Sequence, residues 1–535
     1  MRGGDFAIFC FLAVATCVAA ASLRADVVTR DCEVVARDGV RLYTRVVEPG
    51  DGARHPCVFK RTPYPEAVAE DGSAYARRGY VEVLQHCRGF GRSGGLCRPY
   101  VEREDGLDTL AWIRRQPWYD GEIFLEGASY ETTVHLAYLA DEPPDVKGAA
   151  LSVQTDRMYG RNYRNGCCYG FCGFGWWRRM VRREFPDARL VADEPKRPYA
   201  DAVLRTFGRD LPDLSGMFLH VDCDSFWTDN SRFDVMPHVR FPVLWQGGWW
   251  DFYIEGMTSM WERMPLEARS ESVFVLAPRG HSTDALAGTP LAGPRRLRTF
   301  SALDFFDSIR AGRGGSAWPR GKLVAYEVGS DAWRTYDWPV SVKNERTFFL
   351  GADGSLSEDR AAQRGERSLR YDPRGPRIPG LDDSRSQKAW APGSRSDALE
   401  FVSAPFGSEA RFFGRPRIVL PAHSDCEDTQ LFFRIDLVTP EGEAWNVCQT
   451  ITSFRHVRPD CRAGETVTLD LTFPLIAFRV ARGWSVRLDV TSDGGAYVQH
   501  ANVAKHWAHV TENEVRTAVN AVLCGEAKLT FPLAP

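Results

Sequence analysis

Glu122-Ile-Phe-Leu-Glu-Gly-Ala-Ser-Tyr130, continuing into Thr133-Val-His-Leu-Ala-Tyr-Leu-Ala140, is the stretch on which the fold turns. Glu122 to Leu125 reads as a short buried strand, Thr133 to Ala140 as a helix hiding Val134, Leu136 and Ala137, and the residues between as a tight strand-to-helix turn. The same rhythm recurs outward from there. Cys57 to Lys60 and Tyr80 to Leu84 read as strands, Leu107, Leu110 and Ile113 recur at helical spacing before Pro117, and Phe241 to Trp245 and Ser272 to Leu276 are strands again. Ahead of them, Cys32 to Val47 alternates about Asp38-Gly39, a dipeptide that accepts positive φ, so a β-hairpin is expected. Strands alternating with helices predict an α/β fold with a parallel sheet covered by helices.

Two stretches break the rhythm. From 151 to 239 the strand signal gives way to an aromatic, Arg- and Cys-rich run through Tyr159 to Trp177 and then to short helical patches, which reads as a helical cap inserted over the carboxyl edge of the sheet. Beyond Trp338, the sets Leu431/Phe433/Ile435/Leu437, Val467/Leu469/Leu471/Phe473 and Trp484/Val486/Leu488/Val490 alternate with polar residues. That is the pattern of half-buried antiparallel strands, so a C-terminal β-sandwich or jelly roll is expected. The reading divides the chain into 26–150 plus 240–338 for the α/β domain, 151–239 for the cap and 339–535 for the sandwich, with 353–395 as a loop-rich connection.

With 535 residues, 44% hydrophobic and 26% charged, the chain has the mass for several cores and the composition of an ordinary globular protein. A net charge of −3 supplies no basic field for nucleic acid. Phe6 to Ala21 is mostly apolar and ends in small residues, so 1–25 reads as a secretory signal and a periplasmic or secreted location is expected, with no membrane span in the mature chain. Setting aside Cys10 and Cys17 leaves twelve of fourteen cysteines for an oxidising compartment, from which several disulfides are expected. Cys167, Cys168 and Cys172 lack the further ligands that a zinc site requires. No metal is expected.

On the turn, Ser129 would hold its hydroxyl in the open and aim the next backbone N–H at a developing oxyanion. A serine needs a histidine base and an orienting carboxylate, which in this type of sheet follow in the order Ser, Asp, His. Gly247-Gly-Trp-Trp-Asp251 follows the strand ending at Trp245, and Pro278-Arg-Gly-His281 follows the strand ending at Leu276. Both candidates therefore fall on the rim where Ser129 projects.

Taken together, Arg37-Asp-Gly-Val-Arg-Leu42, Arg61-Thr-Pro-Tyr64, Arg88-Gly-Phe-Gly-Arg-Ser-Gly94, Gly127-Ala-Ser-Tyr130, Gly248-Trp-Trp-Asp251 and Gly280-His281 resemble the cocaine-esterase-like CocE/NonD hydrolases, relatives of the X-Pro dipeptidyl peptidases and the α-amino-acid ester hydrolases. The resemblance runs from Asp38 nearly to the end. It implies an α/β-hydrolase domain, a helical cap and a C-terminal jelly roll, with no cofactor. It also implies Ser129 as nucleophile, His281 as base, Asp251 as its orienting acid, and an oxyanion hole made by the Tyr64 hydroxyl and the Tyr130 N–H. Two positions depart from the family pattern: His86 stands where relatives carry Asp before x-Arg-Gly, and Thr132 where they commonly carry Gly.

The expected activity is cleavage of a small ester or amide, or a short peptide, through an acyl-enzyme. The amino-acid ester hydrolases hold an ammonium with acids after the triad aspartate and in the cap; here Phe252 and Tyr253 follow Asp251, next to Trp250, and the cap offers Arg161 and Arg164. Those residues suggest an aromatic or carboxylate-bearing acyl group. The alternatives are an X-Pro exopeptidase and a glycan- or polymer-binding protein with a degenerate hydrolase domain.

Overall fold

The hairpin about Asp38-Gly39 forms one edge of a ten-stranded sheet in the computed structural model, which describes residues 27–64, 73–97, 101–169, 176, 180, 196–229, 233–281, 286, 288–312, 318–340, 344–360, 363–378 and 387–535. The proposed leader and residues 170–175 and 177 of the aromatic run, Cys172 among them, lie outside the described residues. In chain order the strands are β1 (Val27–Val35), β2 (Arg41–Pro49), β3 (His55–Thr62), β4 (Val81–His86), β5 (Tyr119–Ala128) and β6 (Val146–Ser152). A small hairpin of β7 (Tyr163–Arg164) and β8 (Cys167–Cys168) follows, then β9 (Val243–Gly248), β10 (Val273–Ala277), β11 (Lys322–Glu327) and β12 (Ala332–Asp337). The order across the large sheet is β1-β2-β4-β3-β5-β6-β9-β10-β11-β12. From β4 to β11 all neighbours are parallel, and antiparallel pairs close both edges.

Alternation along the strands sends side chains to two separate cores. Val58, Phe124, Leu244, Val273 and Val275 meet Phe305 and Phe306 of the helix Ala302–Arg310 on one face. Phe59, Val83, Leu125, Trp245 and Leu276 meet Leu110 and Ile113 of the helix Arg103–Ile113, and Val134 and Leu136 of the helix Tyr130–Leu139, on the other. Strands buried on both faces explain the unbroken apolar runs read in the sequence. The described part of 151–239 holds the short helices Met158–Asn162, Ala202–Phe207, Pro212–Leu219 and Ser225–Thr228 around the β7-β8 hairpin.

The C-terminal part is an all-β domain built on an eleven-stranded sheet. Its strand Val467–Thr472 alternates buried and exposed as expected. The strands Gln430–Val438, Ala444–Ser453 and Ser485–Thr491 do not; every residue of each is buried. The polar alternates Arg434, Asp436, Arg487 and Asp489 turn to one another instead of to water, with Arg434 2.7 Å from Asp489 and Arg487 2.6 Å from Asp436. The Trp390 ring covers Arg434, its centroid 3.5 Å from the guanidinium carbon. The segment expected to be loop-rich contains the strand Gly365–Tyr371, where Leu369 and Tyr371 face inward between exposed charges and pair with Ala518–Cys524. The disulfides are corrected too. None of the eleven described cysteines is in a disulfide, and most of them are buried as small apolar groups. Among the described residues no helix is long and apolar enough to cross a membrane.

Candidate active site

Ser129 sits between β5 and the helix Tyr130–Leu139 at φ 56°, ψ −122°, a left-handed backbone that a non-glycine residue adopts only when its surroundings compel it. The surroundings are specific. The Ser129 N–H donates to the Ser152 carbonyl at 3.0 Å, and its own carbonyl accepts from the Gln154 side chain at 3.1 Å. A side chain at Gly127 would bring a Cβ within 2.4 Å of the Glu131 carbonyl oxygen, so the turn closes only with glycine there. Thr132, at the position where a second glycine is common, is fully buried; its hydroxyl donates toward the carbonyls of Gly127, at 2.8 Å, and Ser152, at 3.0 Å. The threonine thus tightens the contact between helix and strand.

The three sequence candidates converge. Ser129 Oγ lies 2.8 Å from His281 Nε2, and His281 Nδ1 lies 3.1 Å from Asp251 Oδ2. The Asp251 side chain has no exposed surface, and its second oxygen accepts the Tyr253 N–H at 2.8 Å. The loop bearing Asp251 runs against the loop bearing His281: the Trp250 N–H donates to the Arg279 carbonyl, and a Cβ at Gly248 would fall 2.1 Å from that oxygen. Phe252 stacks on the imidazole, centroids 4.5 Å apart at 25°. The histidine is thereby held from both sides.

Tyr130 opens the helix with its side chain buried. Its hydroxyl donates to Glu102 Oε1 at 3.0 Å, and its ring stacks on Trp176. Glu102 in turn faces the fully buried Arg61 at 3.1 Å, and Arg61 Nε donates to Gln85 at 2.9 Å. Burial pushes the Glu102 carboxyl up, and Arg61 opposes that shift. Tyr64, three residues beyond Arg61, lies half-buried after the end of β3 against the main core. One buried ion pair therefore ties the strand leading to Tyr64 to the side chain of Tyr130. Sequence reading missed Glu102 and Gln154; both are polar residues just outside the elbow, with no spacing signature of their own.

The other candidates are distributed as follows. Arg161 is buried, its guanidinium 5.3 Å from the centroid of Phe252 and 5.9 Å from that of Tyr253. Arg164 is half-buried, 3.7 Å from Glu255 and in reach of the Gln449 carbonyl. Both help line a cavity of about 410 Å³, together with Trp250, Asp251, Phe252 and Tyr497, where cap, α/β domain and sandwich meet. The other acids lining it are committed elsewhere: Glu255 lies 2.6 Å from Arg415, and Asp470 2.5 Å from Arg417.

His86 ends β4 with a buried ring, against the Tyr43 ring at 4.9 Å and accepting the Arg92 N–H at 2.9 Å. Burial pulls its pKa down to about 4, so the ring is neutral. Arg88 finds its carboxylates elsewhere, at Asp105 (2.6 Å) and Asp38 (2.7 Å).

Residues 38–283 match the family model for X-Pro dipeptidyl-peptidase (S15 family), and residues 316–530 match that for the X-Pro dipeptidyl-peptidase C-terminal non-catalytic domain. The cocaine esterase of Rhodococcus sp. (strain MB1 Bresler) is 24% identical over 549 residues, covering 91% of this chain and 95% of its own. This chain belongs to the CocE/NonD family. Among solved structures, an α-amino-acid ester hydrolase superposes with a TM-score of 0.78 at 20% identity, covering 96% of this CocE/NonD chain and 98% of its own. A CocE/NonD family hydrolase from Staphylococcus aureus superposes with 0.69 at 15% identity, covering 95% and 94%. The α/β-hydrolase fold with its C-terminal β domain and the serine-hydrolase class of this CocE/NonD member follow from these matches, with esterases and X-Pro peptidases as the types of activity. The reading as a non-catalytic binding protein is set aside.

Proposed function

We propose that this CocE/NonD member hydrolyses small esters or amides through an acyl-enzyme on Ser129. The observation that carries the reading is the unbroken chain from Ser129 Oγ through the imidazole of His281 to Asp251. Ser129 attacks the carbonyl carbon as His281 Nε2 takes its proton, and Asp251 holds Nδ1–H and stabilises the imidazolium. The proton then passes to the leaving atom as the bond from carbonyl carbon to leaving group breaks. Water, giving a proton to Nε2, releases the acid and restores the serine. The Tyr130 N–H and the Tyr64 hydroxyl serve as oxyanion donors, each worth about 3 kcal/mol in the transition state. No cofactor enters these steps.

For the acyl half, the aromatic walls around Trp250, Phe252 and Tyr253 suit an aromatic group. The ester or acylase reading is favoured over the X-Pro exopeptidase by charge: a peptide ammonium needs acids, whereas Arg161 lies over the rings that follow Asp251, and Glu255 and Asp470 are already paired. The leader read at 1–25 supports export, with the mature enzyme periplasmic or secreted. Purified mature protein is expected to turn over p-nitrophenyl acetate and not Gly-Pro-p-nitroanilide, with Ser129→Ala silent on both. Turnover of the anilide alone would favour the exopeptidase, and residual turnover by Ser129→Ala would refute the mechanism. N-terminal sequencing of the exported protein tests the leader; an intact Met1 on soluble intracellular protein would contradict it.

A further inference from the structure

A second cleft, of about 370 Å³, opens beside His281. Gln246, Ala277, Arg279, Arg296, Arg298 and Phe300 line it with the imidazole, at the carboxyl ends of β9 and β10. None of its described lining residues is acidic. Several buried and half-buried guanidinium groups elsewhere in the chain meet carboxylates: Arg61 meets Glu102, Arg88 meets Asp105, Arg263 meets Asp156 and Arg411 meets Glu327. Arg279, half-buried, and Arg298, exposed, are not paired in this way.

Neither side chain has an ion-pair or hydrogen-bond partner among the described residues. Arg279 is half-buried, and its Nε is covered and lacks an acceptor. Arg298 lies with its guanidinium 4.7 Å from the centroid of Phe300 and 5.9 Å from that of Trp333. Stacking on aromatic faces leaves the N–H edge of a guanidinium open, the arrangement used for planar recognition of carboxylates. A covered N–H of a permanent cation with nothing to receive it is costly, and an entering anion removes the cost.

We propose that this cleft is an anion subsite for the leaving group, receiving a carboxylate carried by the alcohol or amine half of the substrate. The substrate class is then O-acyl hydroxy acids and N-acyl amino acids. The inference rests on Ser129 and His281 acting as described above. His281 Nε2 hands its proton to the departing oxygen or nitrogen, so that half of the substrate lies along the imidazole, which is the wall shared by the triad and the cleft. The bond between carbonyl carbon and leaving atom breaks, the leaving atom takes the proton that came from Ser129, and the carboxylate stays ionised throughout.

The test compares 4-acetoxybenzoate with 4-acetoxybenzamide, near-isosteric esters whose leaving groups carry a carboxylate and a neutral carboxamide, each rate being divided by that ester's uncatalysed hydrolysis rate. The expected kcat/KM ratio is about tenfold or more in favour of the benzoate, as for charge-assisted hydrogen bonds to a carboxylate, and shrinks with added salt. The ratio falls to about one in Arg279→Gln/Arg298→Gln. Arg298→Gln alone, at an exposed position, lowers it part of the way. Fluorophosphonate labelling of Ser129 in each variant reports that the triad is assembled. Equal rates for the two esters in the wild type, or an undiminished ratio in a labelled double variant, overturn the subsite while leaving the catalytic reading intact. A preference for p-nitrophenyl hemisuccinate over the butyrate without one for the benzoate moves the charge to the acyl half and overturns the assignment. Absence of Ser129 labelling in the wild type takes down the catalytic reading and the subsite with it.

Discussion

Replacing Asp251 by Asn tests the tautomer argument with almost no change of shape. Asp251 Oδ1 accepts the buried Tyr253 N–H at 2.8 Å, and Oδ2 faces His281 Nδ1 at 3.1 Å. An asparagine has one carbonyl and one NH2 to place in these two positions. Turning its NH2 toward the Tyr253 N–H would set two donors against each other in a buried site, so the carbonyl stays there and the NH2 faces His281. Nδ1 must then accept, which puts the single imidazole proton on Nε2, 2.8 Å from Ser129 Oγ. A protonated Nε2 cannot take the serine proton. The wrong tautomer in a triad of this geometry costs roughly 10⁴-fold in kcat, about 5.5 kcal/mol. The assay is p-nitrophenyl acetate turnover and the rate of fluorophosphonate labelling, with thermal melting as the control for fold. Both rates should fall together while the melting temperature moves by only a few degrees. A loss below about tenfold with the fold intact would refute the reasoning.

Tyr64→Phe should lower kcat by about 10²-fold or more with little change in melting temperature, if the hydroxyl is an oxyanion donor; an unchanged kcat would remove Tyr64 from the site. Thr132→Val keeps the shape but strips the hydroxyl from two carbonyl contacts, and should destabilise the chain by about 1–3 kcal/mol in a denaturant titration; neutrality would show that Thr132 only fills space. Arg61→Met leaves Glu102 buried without its cation and should cost about 3–5 kcal/mol, part of which the added change Glu102→Gln restores; additive losses in the double variant would contradict the pairing. His135 is fully buried, and burial pulls its pKa down from 6.5 to about 3. The folded state therefore resists a proton that the unfolded chain accepts. This contribution to stability is full above pH 6.5 and declines as the pH falls toward about 3. His135→Gln should flatten that slope by up to about 1.4 kcal/mol per pH unit, seen as a weaker acid dependence of the denaturation midpoint; an unaltered slope would exclude His135 as its source.

The middle of the sheet was legible because β3, β4, β5, β9 and β10 are short apolar runs flanked by turn residues, and the convergence of Ser129, Asp251 and His281 because each follows such a run; β6, β11 and β12 went unread, the last because its Arg, Thr and Asp residues mask the pattern. The sandwich misled in one respect. Alternation of Phe433, Ile435 and Leu437 with Arg434 and Asp436 has the same appearance whether the polar face meets water or another set of charges, and the partners Arg487 and Asp489 lie some fifty residues away in the chain. The strand Gly365–Tyr371 was hidden by composition, since Glu366, Arg367 and Arg370 outweigh the two inward residues. Even cysteine number was a poor guide to pairing, because buried thiols pack as small apolar groups regardless of parity. Glu102, Gln154 and the cleft beside His281 were invisible for a related reason: their meaning lies in what they face, not in any periodicity.

The most direct test of the account is to treat the purified mature protein with a fluorophosphonate and map the adduct by peptide mass spectrometry. The account predicts one stoichiometric adduct on the peptide containing Gly127-Ala-Ser-Tyr130, located on Ser129 and slowed by loss of His281. An adduct on another residue, or labelling at full rate in His281→Ala, would contradict it.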